Sequence, residues 1–157
     1  VIWEGPGGTM SMVQVPGSDG QFLATHKFYS PNDSKEAKII LAYLEDGKWK
    51  VRTLAELPFV HRFDIISRNG VNYVIACTLK SGHEYKEDWR SPGKIQVCVL
   101  PEDLSSVDEE HPLQFEVLKE GLLKNHGYCK AKVDGVLRSY VAANEGVFEC
   151  IPPESEE

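Results

Sequence analysis

At 157 residues, with 41% hydrophobic residues and a net charge of −7, the chain is one domain's worth of polypeptide with enough apolar side chains for a real core. Its acidic balance and scattered basic residues argue against a phosphate-tracking surface, so no nucleic acid is expected as a partner. No apolar run reaches the roughly eighteen residues of a membrane helix, so no membrane is expected either. No charged-then-apolar leader opens the sequence, and Val1 in place of Met suggests a processed chain or a piece of a longer one.

In chain order, residues 1–4 read as a short apolar strand stopped by Gly5-Pro6-Gly7-Gly8. Residues 9–15 and 22–29 form a hairpin, and 30–34 a polar loop. Residues 37–44 and 48–54 form a second hairpin around Asp46-Gly47. Eight residues between turn signals favour a strand over a helix at 37–44. A second unit follows: strands 60–67 and 71–78 about Arg68-Asn69-Gly70, a charged loop at 80–93, then strands 94–100 and 113–118. The third unit has a hairpin over 125–144 turning at Asp134-Gly135, and a strand at 147–151 before Pro152-Pro153.

These units repeat one another. The strand, turn and strand of 57–78 recur at 125–144 and, more weakly, at 9–26, with starts near Thr9, Val60 and Asn125. The starts lie 51 and 65 residues apart, and an insert near 83–92 accounts for much of the difference. A period of roughly 40 to 50 residues carrying four short strands is the mark of a propeller blade. The expected fold is all-β, with β-propeller-type blades of four antiparallel strands at about 9–57, 58–122 and 123–151, the last completed by the strand at 1–4. Closed propellers have roughly four to eight blades, so the chain is expected to be half of one. Either two copies close a six-bladed ring as a homodimer, or the chain belongs to the remainder of a longer propeller.

Cys77, Cys98, Cys129 and Cys150 show no CxxC spacing, and each sits in an apolar, strand-like run. Buried free thiols are expected, in keeping with a reducing, cytoplasmic setting.

In a propeller the first strand of each blade lines the central channel, and ligand groups gather where blades converge. His61 and Arg62 begin one such strand and Asn125, His126 and Gly127 the next, with Met10 in the corresponding place of the first. His26, Cys77 and Asn144 end the second strands, and Glu145 follows Asn144. Neutral imidazole binds divalent metals or moves protons near neutral pH. His61 and His126, with His26 or His83 as a third nitrogen and Glu145 as a carboxylate, could therefore hold a divalent metal ion; alternatively they hydrogen-bond neighbouring backbone. Arg62 suits a carboxylate or sugar hydroxyl, or an ion pair with Asp64. Tyr85 and Trp89, in the charged loop, offer a platform for a sugar ring or a solvated lid. His111 reads as surface. The chain has no G-x-S-x-G elbow, phosphate-binding glycine loop or H-E-x-x-H, and its turns carry too few carboxylates for a calcium cage.

The run from Phe59 to Ala76, Phe-Val-His-Arg-Phe-Asp-Ile-Ile-Ser-Arg-Asn-Gly-Val-Asn-Tyr-Val-Ile-Ala, resembles degenerate FG-GAP or VCBS-type propeller repeats. With His61-Arg62 opening one blade and Asn125-His126-Gly127 the next, it is similar to the propeller domain of aldos-2-ulose dehydratase and related carbohydrate lyases. That resemblance implies a carbohydrate or sugar-acid ligand, a divalent metal, and elimination of water or a uronic acid. It implicates His61, Arg62 and His126 as catalytic residues and Asn125 as a ligand-binding one. The acidic turn residues of the repeat are missing here. A metal-assisted lyase or dehydratase is the expected function: the ion polarises a carbonyl or carboxylate, His126 or His61 removes the α-proton, and Arg62 steadies the charge. The rivals are a non-catalytic protein-interaction or sugar-binding propeller module and, were the repeat fortuitous, a β-sandwich lectin.

Overall fold

The computed structural model describes residues 1–5, 7–28, 34–85 and 87–154. Tyr29, most of the expected loop at 30–34, Lys86 and the acidic end of the tail lie outside the described residues.

Among those residues, eleven strands make three antiparallel sheets, each built from consecutive strands. The first runs β1 (Met12–Gln14), β2 (Phe22–His26), β3 (Lys38–Glu45), β4 (Lys48–Glu56). The second runs β5 (Val60–Arg68), β6 (Val71–Gly82), β7 (Ser91–Leu100), β8 (Glu116–Leu122). The third has β10 (Val136–Ala143) between β9 (Gly127–Val133) and β11 (Gly146–Cys150). One 3₁₀ turn (Leu104–Ser106) interrupts the connection from β7 to β8, with the Asp103 carboxylate accepting from the Ser105 amide at 2.9 Å. No helix among the described residues is long and apolar enough to cross a membrane.

The hairpins follow from their turn residues. Asp46-Gly47, Asn69-Gly70 and Asp134-Gly135 each place two successive residues at positive φ, between 51° and 81°, the two-residue turn whose twist matches the flanking strands. Within the second sheet, β6 is buried on both faces. Val74 and Ala76 face a core shared with Leu23, Ile39 and Leu54 of the first sheet. Ile75 and Cys77, alternating with them, face Val141, Tyr128 and Phe148 of the third. A sheet packed between two others needs apolar residues at every position rather than every other one, which is why β6 reads as the continuous run Tyr73-Val-Ile-Ala-Cys77.

Three expectations change. Residues 1–4 form no strand. Trp3 packs on the first sheet instead, 6.4 Å from the Phe22 ring and edge-on to His26 at 6.0 Å, beside Ala24, Ile40 and Ala42. Burial of an indole is worth more than pairing a four-residue edge. The last strand of the second sheet is β8, which begins three residues later than the expected 113. Leu113 is drawn into the core, with its amide bonded to the Leu54 carbonyl at 2.8 Å. Finally, Cys129 is exposed and Cys150 half-buried, while Cys77 and Cys98 are buried as expected; all four are free thiols.

Candidate functional site

The first strands of the three sheets enter by the same local geometry. Gly8, Phe59 and Lys124 all take positive φ, at 74°, 64° and 50°. Two residues later come Met10, His61 and His126. Beyond them, Met12, Phe63 and Tyr128 lie opposite Ala24, Ala76 and Val141 of the second strands. Matching entries of this kind bring the two histidines together: their rings stack at 4.1 Å between centroids, tilted by 36°.

The two rings differ in environment. A bulge between Val60 and Arg62 leaves His61 outside the pairing register, and such a bulge re-aims the side chain. His61 is 3% exposed and lies against Phe28 of the first sheet at 5.2 Å as well as against His126. Its carbonyl accepts from Ser11 Oγ at 3.1 Å, while its Nδ1 is buried without a hydrogen-bond partner. Burial first, then the neighbouring His126 and Arg62, push its pKa down to about 4. His61 is therefore a neutral junction residue. His126 is exposed at the cleft.

That cleft, of about 580 Å³, is walled by Met10, Ser11 and Met12 from the first sheet, Arg62, Phe63 and Asp64 from β5, and 126–128 from the third sheet. Arg62 donates from Nη1 to the Met10 carbonyl at 3.0 Å and makes no ion pair among the described residues. Asp64 instead pairs with Lys130 of β9 at 3.2 Å and accepts from its neighbour's amide, Ile65 N, at 2.8 Å. Tyr128 and Ser139 share a hydrogen bond of 2.8 Å. Burial, and the Asp64 carboxylate nearby, hold the Tyr128 phenol above its ordinary pKa, so it remains a protonated donor. The cleft thus offers a half-buried guanidinium on a neutral partner, an exposed imidazole, a phenol and a carboxylate.

The other expected site residues lie elsewhere. Asn125 is fully buried and clamps the third sheet to the second, its Nδ2 donating to the Lys94 and Thr78 carbonyls at 2.9 and 3.3 Å. Asn144 is exposed, its amide bonded to the Leu123 carbonyl at 2.8 Å. Glu145 accepts the Leu123 amide at 2.8 Å. Trp89 is not an open platform, since the Lys80 ammonium sits 4.2 Å from its centroid and that of Lys124 5.9 Å. Tyr85 projects from the same loop, which Asp88 organises through hydrogen bonds from Arg90 and the Glu84 amide. His111 lies at the surface beside Asp108.

The metal set does not assemble. His26 packs edge-on against Trp3 on the outer face of the first sheet. The His61 and His126 rings meet at 4.1 Å between centroids with a 36° tilt, a ring-on-ring contact, whereas a shared ion would need their in-plane lone pairs converging on one point. No three His, Cys, Asp or Glu side chains group as ligands among the described residues, and no metal is assigned to these rings.

Tyr128 and Lys130 are not among the residues expected from the sequence, and Asp64 is expected only as a partner of Arg62. The signal was present in period two: Arg62 and Asp64 alternate along β5, and Tyr128 and Lys130 along β9. Comparison of the chain with family models, curated proteins and solved structures gave no match.

Proposed function

We propose that the three sheets are blades of a β-propeller and that the cleft between their first strands binds a hydroxyl-rich carboxylic acid of the sugar-acid class. The observation that carries this reading is Arg62. In a chain of net charge −7, a half-buried guanidinium that among the described residues bonds only a main-chain carbonyl leaves a cation beside an exposed imidazole, with most of its donor fork open to a ligand. A planar carboxylate matches that fork. Asp64, Lys130 and Tyr128 supply acceptors and donors for hydroxyls farther along the cleft.

With a carboxylate on Arg62, His126 is the base for elimination. It takes the proton from the carbon bearing the carboxylate, the C–O bond at the next carbon breaks, and the departing oxygen regains a proton from the imidazolium or from water. The products are an unsaturated acid and an alcohol or water, with no further reactant. His61, buried and with its pKa lowered, packs behind His126 and does not act as a base.

Isothermal titration with glucuronate and galacturonate, set against glucose and galactose, tests the binding. The acids bind, the neutral sugars do not, and Arg62→Ala lowers affinity at least about tenfold, the loss of a charge-assisted bidentate pair. Equal binding of acids and neutral sugars, or an unaffected Arg62→Ala, would overturn the reading. Ultraviolet absorbance of the conjugated product reports the elimination, which His126→Gln abolishes without loss of binding.

A further inference from the structure

We propose that His61 is an acid-operated latch between the second and third sheets: its neutral ring seals the junction of all three sheets, and its protonation releases the third sheet together with the His126 wall of the cleft. The proposal is independent of what the cleft binds.

The ring is buried between sheets and not merely within one. It touches Phe28, just past β2 of the first sheet, at 5.2 Å and His126, just before β9 of the third, at 4.1 Å, and belongs to β5 of the second. Its Nδ1 is enclosed without an acceptor, so a proton placed there has nothing to bond to until the junction opens. The surrounding groups make this worse. Phe28 and the Ser11 hydroxyl on the first-sheet side carry no charge, and Arg62 on its own strand and His126 opposite both disfavour a second positive charge. Asp64, farther along β5, is engaged by Lys130 at 3.2 Å and by the Ile65 amide, so among the described residues no carboxylate is placed to neutralise the imidazolium.

The third sheet is the part free to leave. Among the described residues its polar ties to the second include the Lys130–Asp64 pair, the two bonds from Asn125 and, just past β11, the bonds from Arg68 and Asn69 to Pro152 and Glu154, while its apolar contact is that of Val141, Tyr128 and Phe148 with Ile75, Cys77 and Ile95. The first and second sheets share a much larger core.

The sign follows from proton linkage. The folded pKa of about 4 lies below the ordinary 6.5, so the open form binds more protons between those values. The junction's stability is fully present above pH 6.5 and is lost as pH falls towards 4. Within that window the opening constant rises by roughly tenfold per pH unit.

Hydrogen exchange, corrected for its intrinsic pH dependence, tests this on the whole chain. From neutral pH to about 4.5, third-sheet amides lose protection by up to roughly a hundredfold, while β2 and β3 amides do not. His61→Phe, which keeps a ring against Phe28, abolishes the acid response, and His126→Gln retains it. Nuclear magnetic resonance of the wild-type imidazoles gives His61 a midpoint well below that of an exposed histidine, a readout that stands even if His61→Phe fails to fold. Uniform loss of protection in all three sheets, an acid response that survives His61→Phe, or a His61 midpoint near 6.5 would each overturn the latch.

Discussion

Replacing Gly93 by Ala tests how β6 and β7 are held together. A Cβ at that position would lie 1.8 Å from the Thr78 carbonyl oxygen and 2.9 Å from two neighbouring backbone carbons. A methyl needs roughly 3.3 Å from such an oxygen, so β7 must withdraw by about 1.5 Å. Neither side of the clash is a flexible side chain. The withdrawal loosens the Lys94 amide from Thr78 Oγ1, now at 3.1 Å, and the Asn125 clamp on the Lys94 carbonyl, now at 2.9 Å. Two or three hydrogen bonds at about 1 kcal/mol each, with residual strain, give a loss of about 3–4 kcal/mol. Urea denaturation measures it as a lower midpoint at unchanged slope. Gly82→Ala is the control, because a Cβ there meets nothing within 4 Å; it shifts stability by no more than about 0.5 kcal/mol. Equal midpoints for the two variants would refute the close approach.

Two further outcomes are expected. Asn125→Ala removes the donor to Thr78 and Lys94 and costs about 1–2 kcal/mol. Asn125→Asp, which sets a carboxylate against two carbonyl oxygens in a fully buried place, is the more damaging change in urea unfolding; the reverse order would contradict the clamp. For the thiols, burial pushes Cys77 and Cys98 up to about 12, so iodoacetamide followed by peptide mass spectrometry finds Cys129 modified in the native protein and Cys77 and Cys98 only after unfolding. Rapid native labelling of Cys77 would show that the contact between the second and third sheets is open.

The order of strands was legible because its signals are local. Asp-Gly and Asn-Gly demand positive φ wherever they fall, and the turns at 46, 69 and 134 formed as read. Strand ends were less so, because tertiary packing sets them. Leu113 has the apolar character of a strand residue, yet the core beside Leu54 claims it, and β8 starts only at Glu116. The four residues at the start of the chain likewise read as a strand, and nothing local says that Trp3 finds Phe22 and His26 first.

The candidate site divides along the same line. Aligning the repeats placed His61 and His126 at equivalent positions, and the rings do meet, because the position along each first strand is fixed by the shared positive-φ entry at Phe59 and Lys124. Their roles were not legible, because the bulge at His61 turns one ring into the junction while the other stays on the cleft. A bulge adds a residue without leaving a mark in composition or period, and it reverses which side of the strand every earlier residue faces. Arg62, past the bulge, keeps the period-two phase of Asp64 and faces the cleft beside His126, while His61 is buried at the junction. Equivalent positions in two repeats thus yield one group that can meet a ligand and one that must stay neutral for the sheets to stay together.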